Sequence, residues 1–272
     1  MLKPYFVLNQ KVEPKATAKS HNKPIKILFN LFFISLQLYH IYDKVKSIMI
    51  DENSIFDQVR GNLSLACPDD CTGADLAAVA GIAISNKMKS ICVAPNRVAE
   101  IWPWLEKTKI KIISRFFIDD AIDDNLMSDL SGNVSASFRD GADGTIVFVA
   151  KQYLSKFALE MLSVRDDLFF NKSFSIGVNI DEVDVFDWAE LFGLLHILRA
   201  DSLTLVFNND TGDKSDFVGR IYAMLNAPRG DWAGVVNFML GQNVLRIDQV
   251  YRLICSMQPD AISRTEFFVE NC

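Results

Sequence analysis

Eight short β-rich runs, separated by stretches of helical period, decide what this chain can fold into. They read LSLA at 63–66, SICVA at 90–94, KIKIISR at 109–115, GTIVFV at 144–149, FSIGVNI at 174–180, SLTLVF at 202–207, WAGVVNF at 232–238 and DAISR at 260–264. Their starts lie 27, 19, 35, 30, 28, 30 and 28 residues apart, and each interval holds a crossover helix with its two loops. The intervening stretches read as helices. Ala74–Met88 is alanine-rich, Asn96–Lys107 follows a Pro-Asn start, and Asp187–Arg199 places Trp188, Leu191, Leu194, Leu195 and Leu198 on one face. The alternation predicts an α/β fold, a (β/α)8 TIM barrel. An open doubly wound sheet shares the rhythm, but no Gly-x-Gly-x-x-Gly follows the first run and no P-loop occurs, which removes support from its nucleotide-binding forms.

Composition sets the other bounds. Half of the 272 residues are hydrophobic, enough for one large core, and a net charge of −6 argues against a nucleic-acid partner. The charge divides at residue 48. Residues 1–48 carry eight lysines and no arginine against Glu13 and Asp43, a balance of +6, whereas the remainder stands at −12 and holds every glycine. Two units follow: a basic, partly apolar N-terminal extension over 1–48 and the barrel over 49–272. The extension reads as a disordered or helical tail, or as sequence upstream of a functional start at Met49. Its apolar run over 27–42, interrupted by Asn30, Ser35, Gln37 and His40, is too short to span a bilayer and would touch a membrane only at its surface. Five cysteines, an odd number in a chain that needs no staples, fit a reducing cytoplasm. Cys67-Pro-Asp-Asp-Cys71 has no second Cys/His pair at zinc spacing, so no metal is expected.

On such a barrel, chemistry sits at the C-terminal ends of the strands and in the loops that follow them. The candidates there are Arg115 beside Phe116 and Phe117, Lys151 after the fourth run, Asn179 and Asp181 with Glu182 after the fifth, Asn208 and Asp210 after the sixth, and Arg264 after the eighth. Lys151 is a candidate amine and Asp181 a candidate proton carrier. Arg115, Asn179, Asn208, Asp210 and Arg264 are candidate ligand-binding groups, the two arginines for a phosphate. Helix capping and turn formation would equally account for Asp181 and Asp210, and a neighbouring carboxylate would account for Arg115. His196, in a leucine-rich helix, reads as a packing residue.

Ser90-Ile-Cys-Val-Ala-Pro-Asn-Arg-Val98, the following helix and Lys109-Ile-Lys-Ile-Ile113 resemble the second and third units of deoxyribose-phosphate aldolase. Gly141-Ala142-Asp143 resembles that family's entry to strand four, and Ala200-Asp201-Ser202-Leu203-Thr204 its strand six; the resemblance runs over about 52–265 in register. It implies a class I aldolase, in which a strand-six lysine forms a Schiff base with the substrate, a strand-four aspartate relays protons and a strand-seven lysine activates the amine. This sequence departs from that pattern. Thr204 stands at the Schiff-base position, Ile146 at the relay position, and no lysine follows Lys214. The turns implied to hold phosphate become Leu240-Gly241-Gln242-Asn243 and Ser263-Arg264-Thr265. The resemblance therefore implies a diverged barrel without Schiff-base chemistry, acting as a binding or scaffold protein for a small phosphorylated or hydroxylated metabolite and needing no cofactor. The alternative is an aldolase-type lyase or isomerase acting on a small sugar phosphate through rewired residues, Lys151 and Asp181 among them.

Overall fold

A computed structural model describes residues 57–119, 122–207, 214–241 and 244–270. Eight parallel strands close into a barrel in sequence order: β1 Leu63–Ala66, β2 Ser90–Val93, β3 Lys111–Ile118, β4 Gly144–Val149, β5 Ser173–Asn179, β6 Ser202–Val206, β7 Val235–Met239 and β8 Phe267–Glu270. β8 pairs back onto β1 over four residues, which closes the ring. Helices α1 Gly73–Asn86, α2 Val98–Leu105, α3 Asp124–Arg139, α4 Lys151–Leu162, α5 Arg165–Leu168, α6 Trp188–Ile197, α7 Lys214–Asn226, α8 Val244–Met257 and α9 Pro259–Ile262 link the strands. The expected extension at 1–48 lies outside the described residues. No helix among the described residues is long and apolar enough to cross a membrane.

Seven of the eight expected strands form where the sequence places them, within a few residues. The eighth does not. Residues 260–262 of the expected 260–264 run belong to α9, because Pro259 occupies the first helical turn, where its fixed φ suits a helix and its missing N–H costs nothing. Thr265 closes that turn through its N–H and hydroxyl, both donating to the Ala261 carbonyl at 3.1 Å. The true strand is the aromatic run Phe267-Phe268-Val269-Glu270. Arg264 and the Ser263–Thr265 turn therefore precede β8 and sit at the N-terminal end of the barrel, opposite the end at which a phosphate cradle was expected.

The helix-to-strand passages Gly141-Ala142-Asp143 and Arg199-Ala200-Asp201 are alike in sequence and in structure. Each helix ends on a left-handed residue, Gly141 (φ 112°) or Arg199 (φ 49°), and the next N–H reaches back to the helix, Ala142 to Ser137 O and Ala200 to Leu195 O, at 3.0 Å each. The following aspartate then ties two strands together. Asp143 Oδ2 accepts from Ile112 N–H at 2.9 Å, and Asp201 Oδ2 accepts from Phe174 N–H at 2.8 Å. The similar-looking Gln258-Pro259-Asp260 belongs to α9 and makes no such tie.

Parallel strands in a barrel are buried on both faces, so the interior needs its own filling. Ala66, Cys92, Ile113, Ile146, Phe148, Met239 and Phe268 supply an apolar plug along the axis. Toward the N-terminal ends the filling turns polar. Ser64 and Ser90 hydroxyls donate to Glu266 Oε2 at 2.7 and 2.8 Å, and Asn237 Oδ1 accepts from Glu266 N–H at 2.9 Å. A small residue is required at Gly177 on β5. A β-carbon there would lie 2.0 Å from Phe148 Cδ1, so the ring occupies the volume that a side chain would claim.

Gly177→Ala is therefore expected to displace Phe148 and lower stability by about 1–3 kcal/mol. Gly81→Ala on the exposed side of α1, where a β-carbon meets nothing, is expected to be neutral or stabilising by about 0.5–1 kcal/mol. Urea unfolding of both variants checks this, and equal midpoints would refute it.

Candidate functional site

The β1 strand ends in Cys67-Pro68-Asp69-Asp70-Cys71, a turn held by Cys67 N–H donating to Cys92 O at 2.9 Å and Cys71 N–H to Pro68 O at 3.4 Å. Thr72 then caps α1 in a reciprocal capping box with Asp75. Loop and cap together hold Asp69 above the barrel mouth. Arg115, well inside β3, rises to meet it. Its Nη2 and Nε donate to Asp69 Oδ1 at 2.7 and 3.3 Å. Only 7% of the arginine side chain is exposed against 64% of the aspartate's, so the cation is embedded in the barrel while its counter-charge stands in solvent. Such a pair is worth little as a brace, because water screens the carboxylate. The carboxylate can be displaced by another anion.

Aromatic rings form the adjoining wall. The Arg115 guanidinium lies 5.9 Å from the centroid of Phe117, whose ring stacks on Phe148 with centroids 4.9 Å apart and 16° between planes. Phe117 is more than half exposed although it belongs to a strand. A buried cation beside an open aromatic face suits a flat or small ligand that carries negative charge.

Two thiols flank the cation from below. Burial, reinforced for Cys67 by the neighbouring sulfurs of Cys71 and Cys92, pushes both Cys67 and Cys92 up to about 12, with Arg115 opposing weakly. These thiols are neutral and unreactive at pH 7. Burial opposes the charge on Arg115 itself, but the hydrogen-bonded Asp69 carboxylate supports it, and the guanidinium remains protonated.

The other expected site residues do not gather here. Lys151 opens α4 and its ammonium pairs with Asp187 outside the barrel wall, beside a small open cavity of about 40 Å³ lined by Leu154, Val178, Val183 and Leu191. Glu182 Oε2 accepts from Lys151 N–H at 3.0 Å and so caps that helix. Asn179 Oδ1 accepts from Asp181 N–H at 3.1 Å, which makes Asn179 the holder of the turn after β5 and leaves Asp181 exposed. Arg264 sits at the far end of the barrel. His196 is exposed on α6, in place of the packed position expected for it. Asn208 and Asp210 lie outside the described residues. Among the described residues no three His, Cys, Asp or Glu side chains gather as metal ligands.

Ile146 is buried in the axial plug, and Thr204 is wholly buried on β6, its hydroxyl 3.1 Å from that of Ser175. Lys111, exposed at the first residue of β3, is the only lysine on a strand among the described residues. Sequence reasoning placed Phe117 beside Arg115 and allowed for a neighbouring carboxylate, but did not single out Asp69. The available signal was Arg115 itself, since a strand arginine facing a barrel interior needs an acid, and Asp69 and Asp70 stand at the end of β1.

No family model and no curated protein sequence matches the chain. Solved structures do. A protein assigned as a deoxyribose-phosphate aldolase in Toxoplasma gondii ME49 superposes with a TM-score of 0.63 at 14% identity, over 82% of this chain and 94% of that one. The tetrameric deoxyribose phosphate aldolase of Aeropyrum pernix gives 0.59 at 9% identity, over 81% and 92%. A protein assigned to copper homeostasis in Streptococcus agalactiae gives 0.54 at 9% identity, over 76% and 97%. The chain thus has the aldolase-type barrel fold, which proteins with different stated roles share.

The thiol environment fixes the sign of an alkaline effect. An unfolded thiol releases its proton near pH 8.5, whereas folded Cys67 and Cys92 keep theirs to about 12. Their contribution to stability is whole below about pH 8.5 and is lost as pH rises toward 12. The melting temperature is expected to fall from pH 9 to pH 11, and less steeply in Cys92→Ala. A flat profile in the parent protein would contradict these protonation states.

Proposed function

We propose that this barrel binds a small anionic metabolite at its mouth, phosphorylated or hydroxylated, and carries out no Schiff-base chemistry. The observation that carries the reading is Thr204. At the β6 position where the aldolase resemblance implies the reacting amine, this chain has a wholly buried hydroxyl already bonded to Ser175. Ile146 adds to it, since an aliphatic side chain in the axial plug moves no proton. An aldolase-type lyase would need an amine at the mouth, and Lys151, committed to Asp187 outside the wall, supports that alternative poorly.

Arg115 provides the anchor. An incoming phosphate or carboxylate competes with the solvent-exposed Asp69 for a guanidinium that the barrel has already fixed in place, and Phe117 covers the organic part of the ligand. Release of Asp69 into water costs little, whereas a bidentate oxyanion gains charge-assisted hydrogen bonds. The likeness to deoxyribose-phosphate aldolases suggests pentose phosphates as the first ligands to try.

Calorimetric titration with deoxyribose-5-phosphate tests the reading. Loss of a charge-assisted hydrogen bond costs about 1.5–3 kcal/mol, so Arg115→Met is expected to weaken binding about 10- to 150-fold. Phe117→Ala is expected to weaken it less, and Asp69→Asn to strengthen it by removing the competitor. No cleavage product should accumulate with any of these proteins. Unchanged affinity in Arg115→Met, or formation of acetaldehyde by the parent protein, would overturn the proposal.

A further inference from the structure

The N-terminal end of the barrel holds a second pair of cationic groups, and these have no acid beside them. Arg229 follows α7, and its guanidinium lies 5.5 Å from the centroid of Phe192 and 5.8 Å from that of Trp232. The two rings stack with centroids 5.3 Å apart. Gly234 makes this possible, since a β-carbon there would come within 2.3 Å of the Trp232 ring. Arg229 is thus wedged against an aromatic stack and cannot swing freely into water.

Its hydrogen bonds go only to neutral acceptors. Nη2 donates to Gln258 Oε1 at 3.0 Å and Nη1 to the Gly234 carbonyl at 3.5 Å. Gln258 is itself fixed by its Nε2 donating to Leu225 O at 2.7 Å, which aims the amide oxygen at the arginine. The remaining nitrogen, Nε, is buried and has no partner. Arg97 also has an unpartnered buried Nε, but its guanidinium is paired with Glu100. No ion pair among the described residues includes Arg229 or Arg264.

Arg264 lines the same shallow, solvent-open cleft with Gly234, Val235, Gln258 and Thr265. Burial and the nearby Arg264 both hold the Arg229 guanidinium below its ordinary range, which marks an excess of positive charge at this spot. Two cations sharing a half-buried cleft without a counter-charge repel each other, and an anion between them removes that repulsion.

The geometry points to an anion-binding cleft at the N-terminal end of the barrel, which takes phosphate or the phosphate group of a small phosphomonoester between the rigid Arg229 and the movable Arg264. This site is separate from the mouth and does not depend on the reading given for it. Arg229 supplies a preorganised donor whose buried Nε is already stripped of water. Arg264, exposed and unpaired among the described residues, closes over the ligand with its guanidinium fork.

Inorganic phosphate, titrated against chloride at matched ionic strength, tests the proposal through heat and through the indole N–H resonance of Trp232, a proton bonded to Ala200 O. The Trp232 signal is expected to shift as for a single site, saturating below about 10 mM, whatever heat the mouth adds. Arg264→Ala, a surface change that leaves the fold intact by circular dichroism, should weaken binding at least 10-fold, and Arg264→Lys should retain part of it. Phe117→Ala, at the opposite end of the barrel, should leave the Trp232 shift unchanged. Absence of heat and of a Trp232 shift up to about 10 mM, or equal affinity in the parent and Arg264→Ala proteins, would overturn it. Phosphate binding that Arg115→Met abolishes while Arg264→Ala does not would assign the anion to the mouth instead.

Discussion

Closing eight parallel strands into a ring creates an interior that water cannot fill, and everything else in this protein follows from what occupies that interior. Here Phe148 lies across the glycine at 177, stacks on Phe117 at the mouth, and joins Ile146, Met239 and Phe268 along the axis. Each such side chain contributes about 1.5–3 kcal/mol by leaving water. An amine able to attack a carbonyl would have to displace one of them or the Thr204–Ser175 hydrogen bond. The chain has filled its axis for packing, and what polarity it keeps inside lies mainly in the Ser64–Ser90–Glu266 cluster toward the other end.

With the centre filled, charge is pushed to the two ends, and the ends differ. At the mouth, Arg115 is embedded while its carboxylate stands in solvent, so the pair is poised for exchange with a stronger anion. At the N-terminal end, Arg229 is immobilised on aromatic rings with neutral acceptors only, and Arg264 stands nearby without an acid. The candidates that follow β4 and β5 do other work. Asp187 holds Lys151, Glu182 caps α4 and Asn179 fixes the turn that carries Asp181.

The fold was legible because strand and helix periods are properties of local sequence, and seven strands needed nothing else. Strand eight was misplaced because a β-branched residue in Asp-Ala-Ile outweighed Pro259, whose preference for a helix start decides that segment, while Phe267-Phe268-Val269 was overlooked. The error moved Arg264 from one end of the barrel to the other, which shows how a single strand boundary can reverse a functional reading. The site was less legible still. Whether Arg115 meets Asp69, Asp70 or nothing depends on how the Cys67–Cys71 turn projects, a tertiary fact with no sequence period behind it. The departures at positions 204 and 146, by contrast, were readable once the aldolase resemblance had put those positions in register.

The central claim is that, among the described residues, no lysine of this aldolase-type barrel faces the mouth. Incubation with deoxyribose-5-phosphate and with acetaldehyde, followed by borohydride reduction and intact mass measurement, tests it most directly. The account expects the mass to remain that of the unmodified chain. A stable adduct of one substrate molecule, mapped to a single lysine, would contradict it.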